Sequence, residues 1–214
     1  MSQYPHRPRF EFFLAAQYFL QANRLGGAYF EFGIHEVNTF RMALNTLGRH
    51  DIPTPVSKFY AFDSFQGMPE PNGLDRQEIW RKGMNMTSEE TFLKKVRRDR
   101  YRVVPVAGFY EDSLRRAARS IDEPLAVAYI DCDYYSSTVE VLAFLEARLR
   151  HGSIICFDDW DCYYADPARG QRKAFSELEH RVGYRIGFEP FIRLTTGGMS
   201  FVCHEKSKLG AAIL

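Results

Sequence analysis

Short apolar runs closed by an acidic residue recur along the chain, each followed by a stretch in which apolar residues return every three or four positions. Tyr29-Phe30-Glu31-Phe32 predicts a first strand, and Phe40, Ala43, Leu44 and Leu47 mark one face of the helix after it. Gly48 is placed to stop that helix, because glycine tolerates the left-handed conformation beyond a last turn. Phe59-Tyr60-Ala61-Phe62 predicts a second strand ending at Asp63, and Thr87 with Glu90 forms a capping-box pattern ahead of Phe92, Leu93 and Val96. A third strand is expected over Val103–Ala107, with a helix from about Asp112. A fourth strand over Leu125–Ile130 ends at Asp131, and Val139, Leu142, Leu145 and Leu149 line the helix behind it. Positions 153–157 form a fifth strand ending at Asp158, followed by a helix over Gly170–Val182. Two last strands, over 184–194 and 199–203, flank Thr195-Thr196-Gly197-Gly198.

Strands alternating with helices specify an α/β fold, a mainly parallel seven-stranded sheet with helices on both faces. The last two strands must form an antiparallel hairpin, because a connection of four residues cannot make a parallel crossover. The whole chain, 1–214, reads as one domain with an N-terminal helical lead over 1–28, where Phe10, Phe13, Leu14 and Tyr18 repeat at helical spacing. The segment 66–86, rich in Gly, Pro and charge over its first part, is expected to be a long loop and a lid.

Composition adds mainly exclusions. Twenty-eight Lys and Arg against 27 Asp and Glu leave a net charge of +1, so no nucleic-acid partner is indicated, and the basic run at 94–102 reads as a solvated helix face. The apolar stretch at 10–20 is interrupted by Glu11 and Gln17 and is far shorter than the ~20 residues of a membrane-spanning helix. Cys132, Cys156, Cys162 and Cys203 show neither a CxxC pair nor zinc-finger spacing, which fits reduced thiols in a cytoplasmic protein. Nothing here decides between a monomer and a homo-oligomer.

The acids change the picture most. In open α/β sheets ligands bind outside the carboxyl ends of the strands, and here Glu31-Phe32-Gly33, Asp63-Ser64, Asp131 and Asp158-Asp159 all fall at those ends. Carboxylates gathered on one edge repel unless a cation or ligand satisfies them. Asp63 is where a carboxylate can accept hydrogen bonds from the ribose hydroxyls of a nucleotide-like ligand, and Gly33 is where a backbone can approach a ligand closely. No full GxGxxG follows, so no pyrophosphate cradle is evident. Asp131, Asp158 and Asp159 offer hard oxygen ligands without a His or Cys cluster, a donor set suited to Mg2+. Asp133, next to this group, is expected to point to the opposite face or into the following loop and to be structural.

Taken in order, Glu31-Phe32-Gly33, Phe62-Asp63-Ser64-Phe65-Gln66-Gly67-Met68-Pro69, Gly108-Phe109-Tyr110-Glu111-Asp112-Ser113-Leu114, Ile130-Asp131-Cys132-Asp133-Tyr134-Tyr135-Ser136-Ser137-Thr138 and Phe157-Asp158-Asp159-Trp160 resemble the macrocin O-methyltransferase (TylF/MycF-like) family. Gly170-Gln171-Arg172-Lys173-Ala174 is similar to that family's helix start after the acids. The resemblance implies a Rossmann-like class I fold that binds S-adenosyl-L-methionine (SAM) and a metal-dependent methyl transfer to a hydroxyl of a sugar or polyol. It places Glu31 and Gly33 by the methionine moiety, Asp63 on the ribose, and Ser64, Phe65, Asp112 and Ser113 around the adenosine. It gives Asp131, Asp158 and Asp159 to Mg2+, with Asp131 also touching the reacting centre as the base. His35, in the loop after the first strand, is an alternative base, since its ordinary pKa of about 6.5 suits proton transfer.

One departure from the family concerns Glu36-Val37-Asn38-Thr39, where a glycine is usual near position 37. A β-branched Val37 disfavours positive φ, so the turn is expected to differ or to bind SAM less tightly. Two other classes fit parts of the pattern: a SAM-binding protein without catalysis, and a nucleotide-dependent enzyme of another class on a similar sheet.

Overall fold

The computed structural model describes residues 6–49 and 56–209. Its helices and strands, in chain order, are α1 (Arg7–Ala22), β1 (Gly27–Phe32), α2 (Asn38–Thr46), β2 (Val56–Asp63), α3 (Glu89–Lys95), β3 (Val103–Ala107), α4 (Tyr110–Ala117), β4 (Leu125–Ile130), α5 (Tyr135–Glu146), β5 (Ile154–Phe157), α6 (Gly170–Val182), β6 (Ile186–Arg193) and β7 (Met199–Glu205). One seven-stranded sheet runs in the order β3-β2-β1-β4-β5-β7-β6, parallel from β3 to β5 and antiparallel where β7 meets β5 and β6. Strand order reverses between β1 and β4, which is the switch point at which such sheets open a cleft.

Alternation along each strand divides the side chains between two layers. Tyr29, Phe59, Ala61, Val127, Tyr129 and Cys156 pack beneath α1, α2 and α3, against Phe12, Phe13, Phe40, Leu44 and Phe92. Their neighbours Phe30, Phe32, Tyr60, Phe62, Ala128, Ile130 and Phe157 face the other way, onto Leu114, Leu142, Leu145, Phe175 and Leu178. Fully burying one such large apolar side chain contributes about 1.5–3 kcal/mol, so both layers tie the strand ends firmly.

Three local expectations change. Helix α1 forms, but Phe12, Phe13, Ala16, Gln17 and Leu20 are its buried residues, whereas Phe10 is 44% and Tyr18 71% exposed. Helix α3 is capped by Ser88, whose side chain accepts from the Thr91 N–H, and Thr87 turns away to another partner. Gly48 follows α2 without entering the left-handed region; a Cβ there would lie 2.8 Å from the Leu44 carbonyl oxygen, so close approach to backbone favours the glycine.

The segment expected as a lid is pinned along much of its length. Met68 and Met84 are joined through a backbone N–H···O bond of 2.9 Å, and Trp80 packs on Tyr134 and Tyr163 with ring centroids 5.9 and 5.3 Å away. Asp75, only 2% exposed, accepts from the Ser136 N–H at 3.1 Å and holds the loop onto the start of α5. Among the described residues, no helix is long and apolar enough to cross a membrane.

Candidate active site

Register brings the strand ends level. Phe32 pairs with Phe62 on one side and Ile130 on the other, and Ile130 pairs with Phe157, so the next residues are Gly33, Asp63, Asp131 and Asp158. Backbone bonds continue the pairing one step further, from Gly33 N–H to Phe62 O, Asp131 N–H to Phe32 O and Asp158 N–H to Ile130 O, at 3.0, 2.8 and 2.9 Å. Above them opens a cleft of about 740 Å³, walled by the turn after β1, the 67–72 stretch, the start of α4 and the start of α5. Gly33 has φ 93°, and a Cβ there would lie 1.8 Å from the Asp131 carbonyl oxygen. The glycine is thus required by the neighbouring strand end, not only by an approaching ligand.

At one end of the cleft, oxygens of Asp131, Asp158 and Asp159 all lie within 4.8 Å of one another. Asp159 and Asp158 are steadied by different partners. Gln171, 1% exposed on the first turn of α6, accepts from the Asp159 N–H at 3.0 Å and donates to Ile130 O and Asp159 Oδ2 at 3.1 and 3.3 Å. Arg9 reaches from α1 to grip both oxygens of Asp158, Nε to Oδ1 at 3.0 Å and Nη2 to Oδ2 at 2.5 Å, and the Tyr129 hydroxyl donates to Oδ1 as well. A carboxylate has about four acceptor positions, so this arrangement fills Oδ1 and leaves one position on Oδ2. Burial, and then the charges of Asp158 and Asp159, hold the Asp131 carboxyl well above the ordinary range; Asp159 is raised by burial and then by Asp133 and Asp158.

Asp133 belongs to this group, contrary to its expected structural place. It adopts φ 57°, which Asp tolerates better than most residues, donates its N–H to Asp159 Oδ2 at 3.0 Å and lines the cleft. Burial, then Asp131 and Asp158, push its carboxyl up to about 7.

The other end is built around Asp63. Its Oδ2 accepts the Ile34 N–H at 2.7 Å and its Oδ1 the Phe65 N–H at 2.6 Å, so the carboxylate ties the end of β2 to the turn after β1. Burial raises its pKa against the opposing pull of those two N–H groups. The turn itself holds a surprise. Val37 is left-handed at φ 65° and Glu36 precedes it at φ 58°, so the expected avoidance of positive φ does not occur. Helix α2 starts directly from Val37 without a side-chain cap, and Asn38 and Thr39 face the cleft with the partial positive charge of that helix end.

Of the residues singled out in the sequence, Gly33, His35, Asp63, Ser64, Asp112, Asp131, Asp158 and Asp159 line the cleft together. Glu31, Phe65 and Ser113 do not. Glu31 is 1% exposed, because alternation turns it under the sheet beside Tyr29, whose hydroxyl donates to it; burial keeps its pKa well above the ordinary carboxylate range. Phe65 turns into the core against Phe92, with centroids 5.7 Å apart, and the Ser113 side chain is 0% exposed. His35 lies near Asp63, whose charge it favours, at the end of the cleft away from the three acids. Arg9 carried no signal in the sequence, since its partner lies 149 residues away. Chemically, the arrangement offers a hard-oxygen cation seat, a carboxylate of raised pKa beside it, and backbone N–H groups with a ribose-type acceptor at the far end.

A family model described as Macrocin-O-methyltransferase (TylF) matches residues 7–180. A comparison with curated proteins finds no match. Among solved structures, the fold resembles the O-methyltransferase NovP (22% identity, 91% of this chain and 79% of that one, TM-score 0.69). It also resembles CalS11, described as a TDP-rhamnose 3'-O-methyltransferase of calicheamicin biosynthesis (19% identity, 90% and 79% covered, TM-score 0.62). The O-methyltransferase of Bacillus cereus, solved in complex with SAH, aligns with 14% identity over 94% of this chain and 81% of that one, at a TM-score of 0.57.

Proposed function

Because the chain belongs to the macrocin-O-methyltransferase (TylF) family and is a SAM-dependent O-methyltransferase, we propose that it methylates a hydroxyl of a sugar or related polyol in natural-product biosynthesis, with a divalent cation, Mg2+ by its chemistry, held at the acid end of the cleft. The observation that carries this reading is the convergence of Asp131, Asp158 and Asp159 within 4.8 Å at the same strand ends that present Gly33 and Asp63. The sugar acceptor is suggested by the substrate named for CalS11.

The donor set fits the cation. Arg9 offsets the charge of Asp158, yet Asp131 and Asp159 remain raised by burial and by their acidic neighbours, a charge that a further cation would balance, and oxygen-only ligands select a hard ion. When bound, SAM supplies an activated methyl group and the cation supplies Lewis-acid acidification of a neighbouring hydroxyl. The chain's own residues do the rest. Asp63 and the turn from Gly33 to Thr39 hold the cofactor, with Ser64 and Asp112 at its border. Asp131, Asp159 and the free position on Asp158 Oδ2 would hold the cation, with Arg9 and Tyr129 fixing the Asp158 carboxylate. Asp133 takes the acceptor proton: a carboxylate spent on a cation is a weak base, whereas Asp133 lines the cleft beside the trio and is not one of the three ligands. On this reading Asp131 is a ligand and His35 a neighbour of the cofactor.

The test is SAH release in the presence of SAM, a panel of glycosides and Mg2+, repeated with EDTA. Turnover of a glycoside that stops with EDTA and returns with Mg2+ is expected. Full turnover with EDTA present would remove the cation from the mechanism.

A further inference from the structure

The left-handed turn at Glu36 and Val37 is costly for residues with a Cβ, and such geometry persists only where the surroundings over-determine it. For Val37 the surroundings are the core: the side chain is 0% exposed and its N–H reaches Ile34 O at 3.0 Å. Glu36 is exposed and has no such packing. Both of its peptide groups are instead held from 51 and 59 residues away. Its N–H donates to Thr87 Oγ1 at 3.2 Å, and Lys95 Nζ donates to its carbonyl at 2.7 Å. Thr87 stands just before α3 and Lys95 is the last residue of that helix, so α3 spans the two contacts as a rigid brace. Thr87 is also the residue released from capping duty when Ser88 caps α3.

We propose that Thr87 and Lys95 are positioning residues for the cofactor: they clamp Glu36 in its left-handed conformation and so hold Ile34, His35 and the start of α2 where the methionine end of SAM is received. Neither residue lines the cleft. They act through the backbone of Glu36. The inference rests on the reading of this turn as the cofactor turn.

The test is SAH affinity by calorimetry beside thermal melting. Lys95→Met and Thr87→Val should each weaken SAH binding by up to roughly tenfold, the upper size of one lost hydrogen bond, and leave the melting temperature nearly unchanged because both bonds are solvent-exposed. Lys95→Arg and Thr87→Ser, which keep the donor and the hydroxyl, should recover most of the affinity. Lys94→Met, which removes the neighbouring exposed charge, should leave affinity as it is. The decisive measurement is the double variant. Glycine enters the left-handed region freely, so in a Glu36→Gly background the further loss from Lys95→Met should shrink to less than about twofold. Unchanged affinity in Lys95→Met, or an equal loss with and without Glu36→Gly, overturns the brace. Asp63→Ala separates the two ideas: if it binds SAH as tightly as the parent, the placement of the cofactor has failed instead.

Discussion

At the acid end of the cleft, Asp131, Asp158 and Asp159 stand on the ends of β4 and β5, in register with the sheet, and the cost of the arrangement is electrostatic. At the cofactor end the buried acid, Asp63, is satisfied by two backbone N–H groups, while Glu36 and Val37 are held left-handed, so the distinguishing cost is conformational. Burial and mutual repulsion raise Asp131, Asp133 and Asp159, a burden that a bound cation relieves. Backbone strain cannot be relieved by a ligand's charge; it is borne by the core around Val37 and by Thr87 and Lys95 around Glu36. The two ends should therefore respond to different interventions. Charge, pH and cations should act on the first, glycines and the brace on the second.

The largest expected effect is at the acid end. Asp158→Asn keeps the shape but removes one charge and one side of the grip by Arg9, so cation-dependent turnover should fall by at least about 100-fold, as loss of a ligand or of its orienting partner does. SAH affinity, measured by calorimetry, should stay within about threefold, because the cofactor end is built on other residues. Full activity in this variant would sink the assignment, and a parallel loss of SAH binding would break the separation of the two ends.

A second effect follows from the raised carboxyls. A group whose pKa is higher in the folded than in the unfolded state adds stability that is fully present below its unfolded value, about 4 for Asp, and lost as pH rises through its folded value. For Asp133 that loss runs from about pH 4 to about 7, and Asp131 and Asp159 act in the same direction. Cation binding needs the deprotonated acids, so excess Mg2+ should raise the melting temperature little at pH 5 and by about 5 °C or more at pH 8. That follows from ~2.7 kcal/mol at a hundredfold excess over Kd and 2–4 °C per kcal/mol for a chain of this size. A shift independent of pH would contradict the electrostatic account.

These contrasts also show what the sequence could carry. Strand ends were legible because a strand ending in Asp63, Asp131 or Asp158 leaves an apolar run followed by an acid, and parallel register then levels those ends without further information. Glu31 misled for the same reason: it sits inside an apolar run that continues to Phe32, and only the direction set by alternation separates it from Gly33. Asp133 was expected on the opposite face or in the following loop, with a structural role; β4 stops at Ile130, so it lies in the loop, and the left-handed turn there brings it back to the acids. Contacts between distant segments, Arg9 with Asp158 or Lys95 with Glu36, leave no local pattern at all. Thr87 was legible as polar punctuation, and its partner was not.

The smallest effect separates strain from packing within the turn itself. Both Glu36→Gly and Val37→Gly remove a left-handed Cβ, worth about 1–3 kcal/mol where the strain is fully expressed, and both cost about 0.5–1 kcal/mol of added chain entropy. They differ in what else is lost. The Glu36 side chain is exposed and gives up a bond from Asn38 Nδ2 at 3.1 Å, worth little in water. The Val37 side chain is fully buried in the core layer that also holds Phe40 and Phe92, and emptying its place costs about 1.5–3 kcal/mol. Glu36→Gly should therefore raise stability by about 1 kcal/mol, whereas Val37→Gly should lower it by about the same amount. Denaturant melts of the two variants would show shifts of opposite sign. Equal shifts in one direction would mean that the turn carries no strain of its own, and that the brace at Thr87 and Lys95 holds a conformation the chain already prefers.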